Sequence, residues 1–445
     1  MKNRDTMRPF LLSSFIALGC MNLVLPVGAQ TSAPAKKETK ASASTRTTTR
    51  NYDDVNVING SFSTNGEKGE TVYITTDDNG LRLQLITKGT VTVSEDERSI
   101  SGLSENGRFE FSRREKGAPE HKVVLESNNG QLQGKYWVDG EAQEYATAGK
   151  EWLAKYLPEM ISKTGLGAEA RAERLYQEGG ARKVLAHTAT MQPGTGRTKM
   201  YKHLMGKQGL KSDDMRQLLE QVAQGKTSDY EAASIMTKVP VEHLAQSGTA
   251  EAYAAASATL SSDYEKGRAL KHLLRQEKLS EKALDKTAES IGSITSGYEK
   301  VKVLSTLAER PQLTEKQFEL TMRALQTVSS DYERTKGLGT LMRHEQQVVT
   351  YFDKVLPLIN GIGSDYEKAK AYSGLLSNTR LGASQYVPLL KASEAIGSDY
   401  EKAKLLRKMA AHLPKDDKKV KEAYAQAAKT VGSKYEYEKV IAAYQ

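Results

Sequence analysis

His344-Glu345 opens like the His-Glu-x-x-His motif, which sets two imidazoles on one helix face to hold zinc beside a glutamate base. The fifth residue is Val348, so the second ligand is missing and zinc chemistry has no site there. A second pattern, Asp-Tyr-Glu, could set a ladder of phenols along one groove to bind a ligand. It recurs at Tyr230, Tyr264, Tyr298, Tyr332, Tyr366 and Tyr400, always 34 residues apart, with Gly297 replacing the aspartate of the third copy. Equal copies at such a period mark stacked supersecondary units, because one unit cannot bury its own apolar face. The period speaks for a binding surface rather than a catalytic pocket.

The motif explains the start of a helix. Ser228, Ser262, Ser296, Ser330, Ser364 and Ser398 each stand three residues before Glu231, Glu265, Glu299, Glu333, Glu367 and Glu401. Ser-x-x-Glu is a capping box, in which the hydroxyl accepts from the N3 amide and the glutamate reaches back to the cap amide. Behind it runs an apolar stripe at i, i+3 and i+4, as in Leu270, Leu273 and Leu274. Ser280 and Thr314 read as caps of a second helix, in which Phe318, Phe352 and Tyr386 share one position. Pro357 and Pro388 fall inside second helices, where a kink or a late start is expected. The fold expected is mainly α: a solenoid of seven to eight 34-residue helical hairpins, tetratricopeptide- or HEAT-like, over residues 194–445. A degenerate copy around Tyr201, Leu204 and Met205 opens it, and a truncated one at Ser433-Lys434-Tyr435-Glu436 ends it.

Within the motif, the tyrosines are expected to pack between repeats with their hydroxyls at the rim. Partner contacts are then expected from residues that differ between copies, with Arg268, Lys271, Lys302 and Lys370 as candidates.

Upstream the period changes to two. Leu81, Leu83 and Leu85 alternate with polar residues, as do Val91 with Val93 and Phe109 with Phe111. The turns between such runs carry Asn59-Gly60, Asn65-Gly66, Asn79-Gly80, Asn106-Gly107, Asn129-Gly130 and Asp139-Gly140, which tolerate the positive φ of tight hairpins. Residues 51–146 therefore read as a small antiparallel β-meander. Residues 147–193 read as a helical adaptor, with Trp152 on an apolar stripe that ends at Thr164-Gly165.

Lys2, Arg4 and Arg8 precede an apolar run from Phe10 to Val27 that closes on Val27-Gly28-Ala29, the pattern of a secretory signal peptide over 1–29. The expected location is therefore outside the cytoplasm, periplasmic or extracellular, with a retained anchor or a lipoprotein attached at Cys20 as the rival readings. Cys20 is the one cysteine, so cleavage at Ala29 leaves no thiol for disulfides or thiolate chemistry. Residues 30–50, rich in Ser, Thr, Ala and Lys, read as a disordered tether. The chain carries +9, and the signal segment contributes three basic residues and one acidic, leaving +7. The basic residues are interleaved with acidic ones, which speaks against a nucleic-acid groove. Beyond residue 29 no apolar run is long enough to span a membrane. The seven histidines are scattered and read as exposed helix residues, and there is no P-loop, Gly-x-Ser-x-Gly elbow or helix-opening Gly-x-Gly-x-x-Gly. No enzyme activity, catalytic residue, metal or cofactor is expected.

Three stretches together carry a resemblance: Gly107-Arg108-Phe109-Glu110-Phe111, Tyr136-Trp137-Val138-Asp139-Gly140 leading to Trp152-Leu153, and the Ser-Asp-Tyr-Glu-Lys repeats. They resemble the extracytoplasmic region appended to bacterial membrane zinc metallopeptidases of the β-lactam-sensor, antirepressor class, from about Ile100 to the carboxyl terminus. The peptidase helix and membrane spans are absent, so the resemblance implies an envelope sensing or protein-binding module and not proteolysis. The function expected is a non-catalytic scaffold that binds a protein or peptide along the concave face of the array. An envelope-polymer hydrolase with its site in the β head, or a structural spacer, are the alternatives.

Overall fold

Alternation of apolar and polar residues builds a sheet with one dry face. In the computed structural model, which describes residues 70–76, 80–225 and 227–444, eight strands form. They are β1 (Glu70–Thr76), β2 (Arg82–Lys88), β3 (Val91–Val93), β4 (Ile100–Leu103), β5 (Arg108–Arg114), β6 (His121–Asn128), β7 (Gln131–Val138) and β8 (Glu141–Gln143). Six run antiparallel in the order β1-β2-β5-β6-β7-β8, and β3 pairs with β4 as a separate hairpin. The register lines up Leu85, Phe111, Val123 and Tyr136 across four strands. These side chains are buried together with Leu83, Phe109 and Leu125. Asn129-Gly130 and Asp139-Gly140 turn with positive φ at both residues, as their composition required. The signal segment, Cys20, the tether, Asn59-Gly60, Asn65-Gly66 and Asn79 lie outside the described residues.

The dry face is covered by α1 (Lys150–Thr164), whose Trp152, Leu153, Leu157, Met160 and Ile161 enter the same core. Trp152 packs against the rings of Phe111, His121, Tyr136 and Tyr156, a core role. Gly165, left-handed at φ 72°, ends the helix. Helix α2 (Ala168–Thr190) loses helical geometry at Gly179 and Gly180, where the sequence places a break.

A polar tie joins α2 to the β3–β4 hairpin. Glu97, at φ 59°, sets its carboxylate 2.9 Å from the buried Arg171 guanidinium and 3.2 Å from His187 Nε2. Burial opposes the charge on Glu97, but the His187 hydrogen bond and the Arg171 charge outweigh it and hold the carboxyl below the ordinary glutamate value.

Seven helix pairs follow and a single helix closes the chain. The first helices bearing the motif are Asp229–Met236, Asp263–Leu274, Gly297–Ala308, Asp331–Leu341, Asp365–Asn378, Asp399–Ala410 and Lys434–Tyr444. Their partners include Glu281–Gly292, capped by Ser280, and Glu315–Gln326, where Thr314 and Gln317 complete a reciprocal capping box. The degenerate copy is Thr195–Met205, with Tyr201 buried and donating to Gln221 at 2.8 Å. Phe318, Phe352 and Tyr386 are buried at one repeat position. The proline expectation divides: the helix with Pro357 starts only at Phe352, after a separate short helix at Glu345–Thr350, whereas Pro388 sits in an uninterrupted Ala383–Ser393. Among the described residues no helix is long and apolar enough to cross a membrane.

The Glu97 tie gives a signed expectation for pH. A lowered carboxyl contributes stability above the ordinary glutamate range, and that stability is lost as pH falls through the folded value. Glu97→Gln should therefore cost on the order of 2 kcal/mol at neutral pH and flatten the acid limb of a stability–pH profile. Urea titrations of both proteins between neutral and acid pH check this, and an unchanged acid limb would refute it.

Candidate binding surface

At the start of every motif helix the serine caps as expected. The hydroxyls of Ser262, Ser296, Ser330, Ser364, Ser398 and Ser433 accept from the N3 amides at 3.3–3.4 Å. The second half of the box is filled differently. From the second motif helix onward, no glutamate closes onto its own cap amide. That amide donates instead to the aspartate of the preceding repeat: Ser262 to Asp229 at 2.6 Å, Ser296 to Asp263 at 2.7 Å, and Ser364, Ser398 and Ser433 to Asp331, Asp365 and Asp399 at 2.8 Å. Each aspartate also takes the amide just before the serine, as Asp365 does from Gly397 at 3.0 Å. Although burial resists ionisation of Asp263, bonds from Thr295 and Ser296 hold its carboxyl below the ordinary value.

One repeat lacks this clamp. Gly297 offers no carboxylate to Ser330, and at that junction Arg334 donates to the carbonyl of Val328 at 3.0 Å, in addition to reaching the Gly361 carbonyl of its own second helix at 2.7 Å. The extra bond ties the junction at the end of the preceding second helix, where a cation suits the dipole. The lysines at the same repeat position do related work: Lys266 donates to Ser293 at 2.8 Å, Lys300 to Thr327, and Lys402 to the Thr430 carbonyl at 2.9 Å, each a C-cap residue of the second helix.

Most of the glutamates turn inward, released from capping from Glu265 onward, while Glu231 still accepts from the Ser228 hydroxyl at 3.1 Å. Glu231, Glu265, Glu299, Glu367 and Glu436 are buried, and burial pushes the carboxyls of Glu231 and Glu265 up. Glu299 reaches the preceding first helix: its Oε2 lies 3.3 Å from where a Cβ on Gly267 would stand. All but Glu231 are met by a cation three residues on, Glu265 by Arg268 at 3.1 Å, Glu299 by Lys302 at 3.6 Å, Glu367 by Lys370 at 3.4 Å and Glu436 by Lys439 at 3.2 Å.

The tyrosines do not pack between repeats. Tyr230, Tyr264, Tyr298, Tyr332, Tyr366, Tyr400 and Tyr435 are between 41% and 67% exposed, which overturns the packing role expected of them. The cause is helical geometry. With serine at Ncap, glutamate and the residue after it turn toward the core, and the tyrosine at N2 points away. Core filling falls to Leu270, Leu273 and Leu274 and their equivalents.

Arg268, Lys302 and Lys370 stand four residues after a tyrosine, at one repeat position that Lys336 and Lys404 also occupy. They were expected to vary between copies, and instead the charge recurs. Lys271 lies at a more variable position, where other copies carry Ser305, Gly339, Ser373 and Arg407. The cations lie over the rings: Lys302 is 4.3 Å from the Tyr298 centre, Lys439 is 3.7 Å from Tyr435, and Arg268 is 5.9 Å from Tyr230 of the preceding repeat. Lys370 stands 5.4 Å from the Tyr332 ring and 5.8 Å from the Tyr366 ring, bridging successive rungs. The hydroxyl of Tyr298, with Glu299, holds the Lys302 ammonium above its usual value. The outcome is a row of phenols and cations backed by buried carboxylates. Its basic rungs were legible as a cation four residues after each tyrosine from Tyr264 onward, a spacing the sequence reading left unused.

The histidines, expected on exposed faces, are half-buried except His412, and several tie repeats together, as His344 does to the Ala308 carbonyl at 3.1 Å. Among the described residues no group of three or more His, Cys, Asp or Glu side chains could hold a metal ion.

No protein-family model matches the chain, and no curated protein matches it. A similar solved chain comes from work titled "Computational Design of Self-Assembling Cyclic Protein Homooligomers". It is 15% identical over 62% of this chain and 92% of its own, with a TM-score of 0.14, too low to carry an argument.

This division of labour makes two substitutions behave oppositely. Asp365→Ala deprives two cap-region amides of a charged acceptor and should cost about 1–3 kcal/mol. Tyr332→Ala should stay within about 0.5 kcal/mol of the parent, as exposed positions do. Paired chemical denaturation tests both, and a Tyr332→Ala loss as large as that of Asp365→Ala would restore the packing role.

Proposed function

We propose that this chain is an exported, non-catalytic binding protein of the bacterial envelope, docking a protein or peptide partner along the row of tyrosines on its first helices. One observation carries the reading. In Ser-Asp-Tyr-Glu-Lys the serine caps, the aspartate clamps the next repeat, the glutamate fills the seam and the lysine ties the second helix. The tyrosine alone holds nothing in place, yet it returns in all seven copies and is exposed in each. Exposed tyrosine is costly to keep in water and valuable at interfaces, where it offers a rigid apolar face and one hydroxyl. A spacer would have no use for it.

Export rests on the basic head, apolar run and Val27-Gly28-Ala29 site, and sensing on the resemblance to the appended region of the sensor-type peptidases. Both belong to the proposal.

The test is capture with two baits, the parent chain and a Tyr298→Ser/Tyr332→Ser/Tyr366→Ser variant whose melting temperature matches it. A partner retained by the parent should be lost from the variant by at least about tenfold. Equal retention on both baits would place binding elsewhere.

A further inference from the structure

We infer that the partner of the tyrosine row is a second copy of this chain, the two rows packing face to face across a two-fold axis. This rests on the row being a protein-docking surface, and it names what docks.

The first argument is area. With each ring 41–67% exposed, the seven tyrosines leave roughly 700–800 Å² in water, taking about 200 Å² for a whole side chain. That approaches the about 800 Å² that each partner contributes to a standard stable interface, and exceeds the about 300–600 Å² of the largest patch on an ordinary monomer.

The second argument is period. A partner that meets every rung must itself present one group per helix layer. A second copy does so by construction, whereas a globular surface meets two or three rungs at most.

The third is charge. Along four of the first helices an aspartate stands one residue before the tyrosine and a cation four residues after it, as in Asp365, Tyr366 and Lys370; Gly297 and Lys434 replace the aspartate, and Ser234 the cation, in the other three. The row therefore has an acidic side and a basic side. A two-fold axis along the row lays the acidic side of one copy over the basic side of the other, with equal-numbered repeats opposed. An axis across the row would set like charges together. The geometry thus selects the first arrangement.

Sedimentation velocity of the full chain from about 1 to 100 µM should show a monomer–dimer equilibrium, the micromolar range being accessible to an interface of this size. The Tyr298→Ser/Tyr332→Ser/Tyr366→Ser variant should weaken it by roughly a hundredfold or more with an unchanged melt. For orientation, Tyr264→Cys and Tyr400→Cys are placed separately in a Cys20→Ser background. Each should give disulfide-linked dimers on its own. Dimers formed only when the two are mixed would overturn the arrangement. A parent that stays monomeric to 100 µM, or a variant that dimerises as well as the parent, would overturn the inference itself. If the monomeric parent still captures a peptide or an envelope glycan that the variant does not, the row binds something else and only the second copy is excluded.

Discussion

The array depends on one hydrogen-bonded junction, the aspartate of one repeat accepting from the cap amides of the next. A helix N-terminus leaves four amides without partners, and an ordinary capping box satisfies two of them locally. Here the serine satisfies one and the preceding repeat satisfies the other. Five of the motif helices therefore complete their caps only against a neighbour. A charged acceptor at a helix N-terminus is also favoured by the dipole, so the junction is electrostatically directed as well as hydrogen-bonded. Nearest-neighbour coupling of this kind is what makes a stack of marginal units cooperative.

The rest of the motif follows from that substitution. Since the aspartate satisfies the cap amide, the glutamate is free to enter the seam between first helices, where burial raises Glu265 and Arg268 offsets its charge. The next residue, lysine or arginine, reaches the end of the second helix. The cation one turn beyond the tyrosine rises past the buried carboxylate to the surface and meets the ring. Only the ring is left without structural work. Where the aspartate is missing, at Gly297, Arg334 adds a bond to the Val328 carbonyl to its tie to Gly361, so that junction has a cation at the end of the preceding second helix.

Much of the fold was legible because it is local and repeated. The capping serines, the leucine stripes, the hairpin turns at Asn129-Gly130 and Asp139-Gly140 and the stop at Gly165 are each decided within a few residues. The surface was less legible. Asp-Tyr-Glu is consistent with tyrosine inside or outside, because a fixed spacing records that a residue recurs and not which way it points. The rotation of the N2 position depends on which side of the helix the next repeat occupies. The exchange of capping partners is likewise invisible, since Asp365 and Ser398 are 33 residues apart and the local Glu401 satisfies the same sequence rule. Composition favours tyrosine in cores and at interfaces alike, so only its exposure could decide.

Amide hydrogen exchange at the cap serines addresses the junction most directly. The amides of Ser364 and Ser398 are bound by Asp331 and Asp365 at 2.8 Å, whereas Gly297 leaves Ser330 without that acceptor. All three open the same kind of helix in the middle of the array, which makes Ser330 an internal control. Residue-resolved exchange should find Ser364 and Ser398 protected at least about tenfold more strongly than Ser330, a difference that corresponds to about 1.4 kcal/mol in local opening. Equal exchange at the three serines would contradict the claim that the aspartate clamp holds the repeats together.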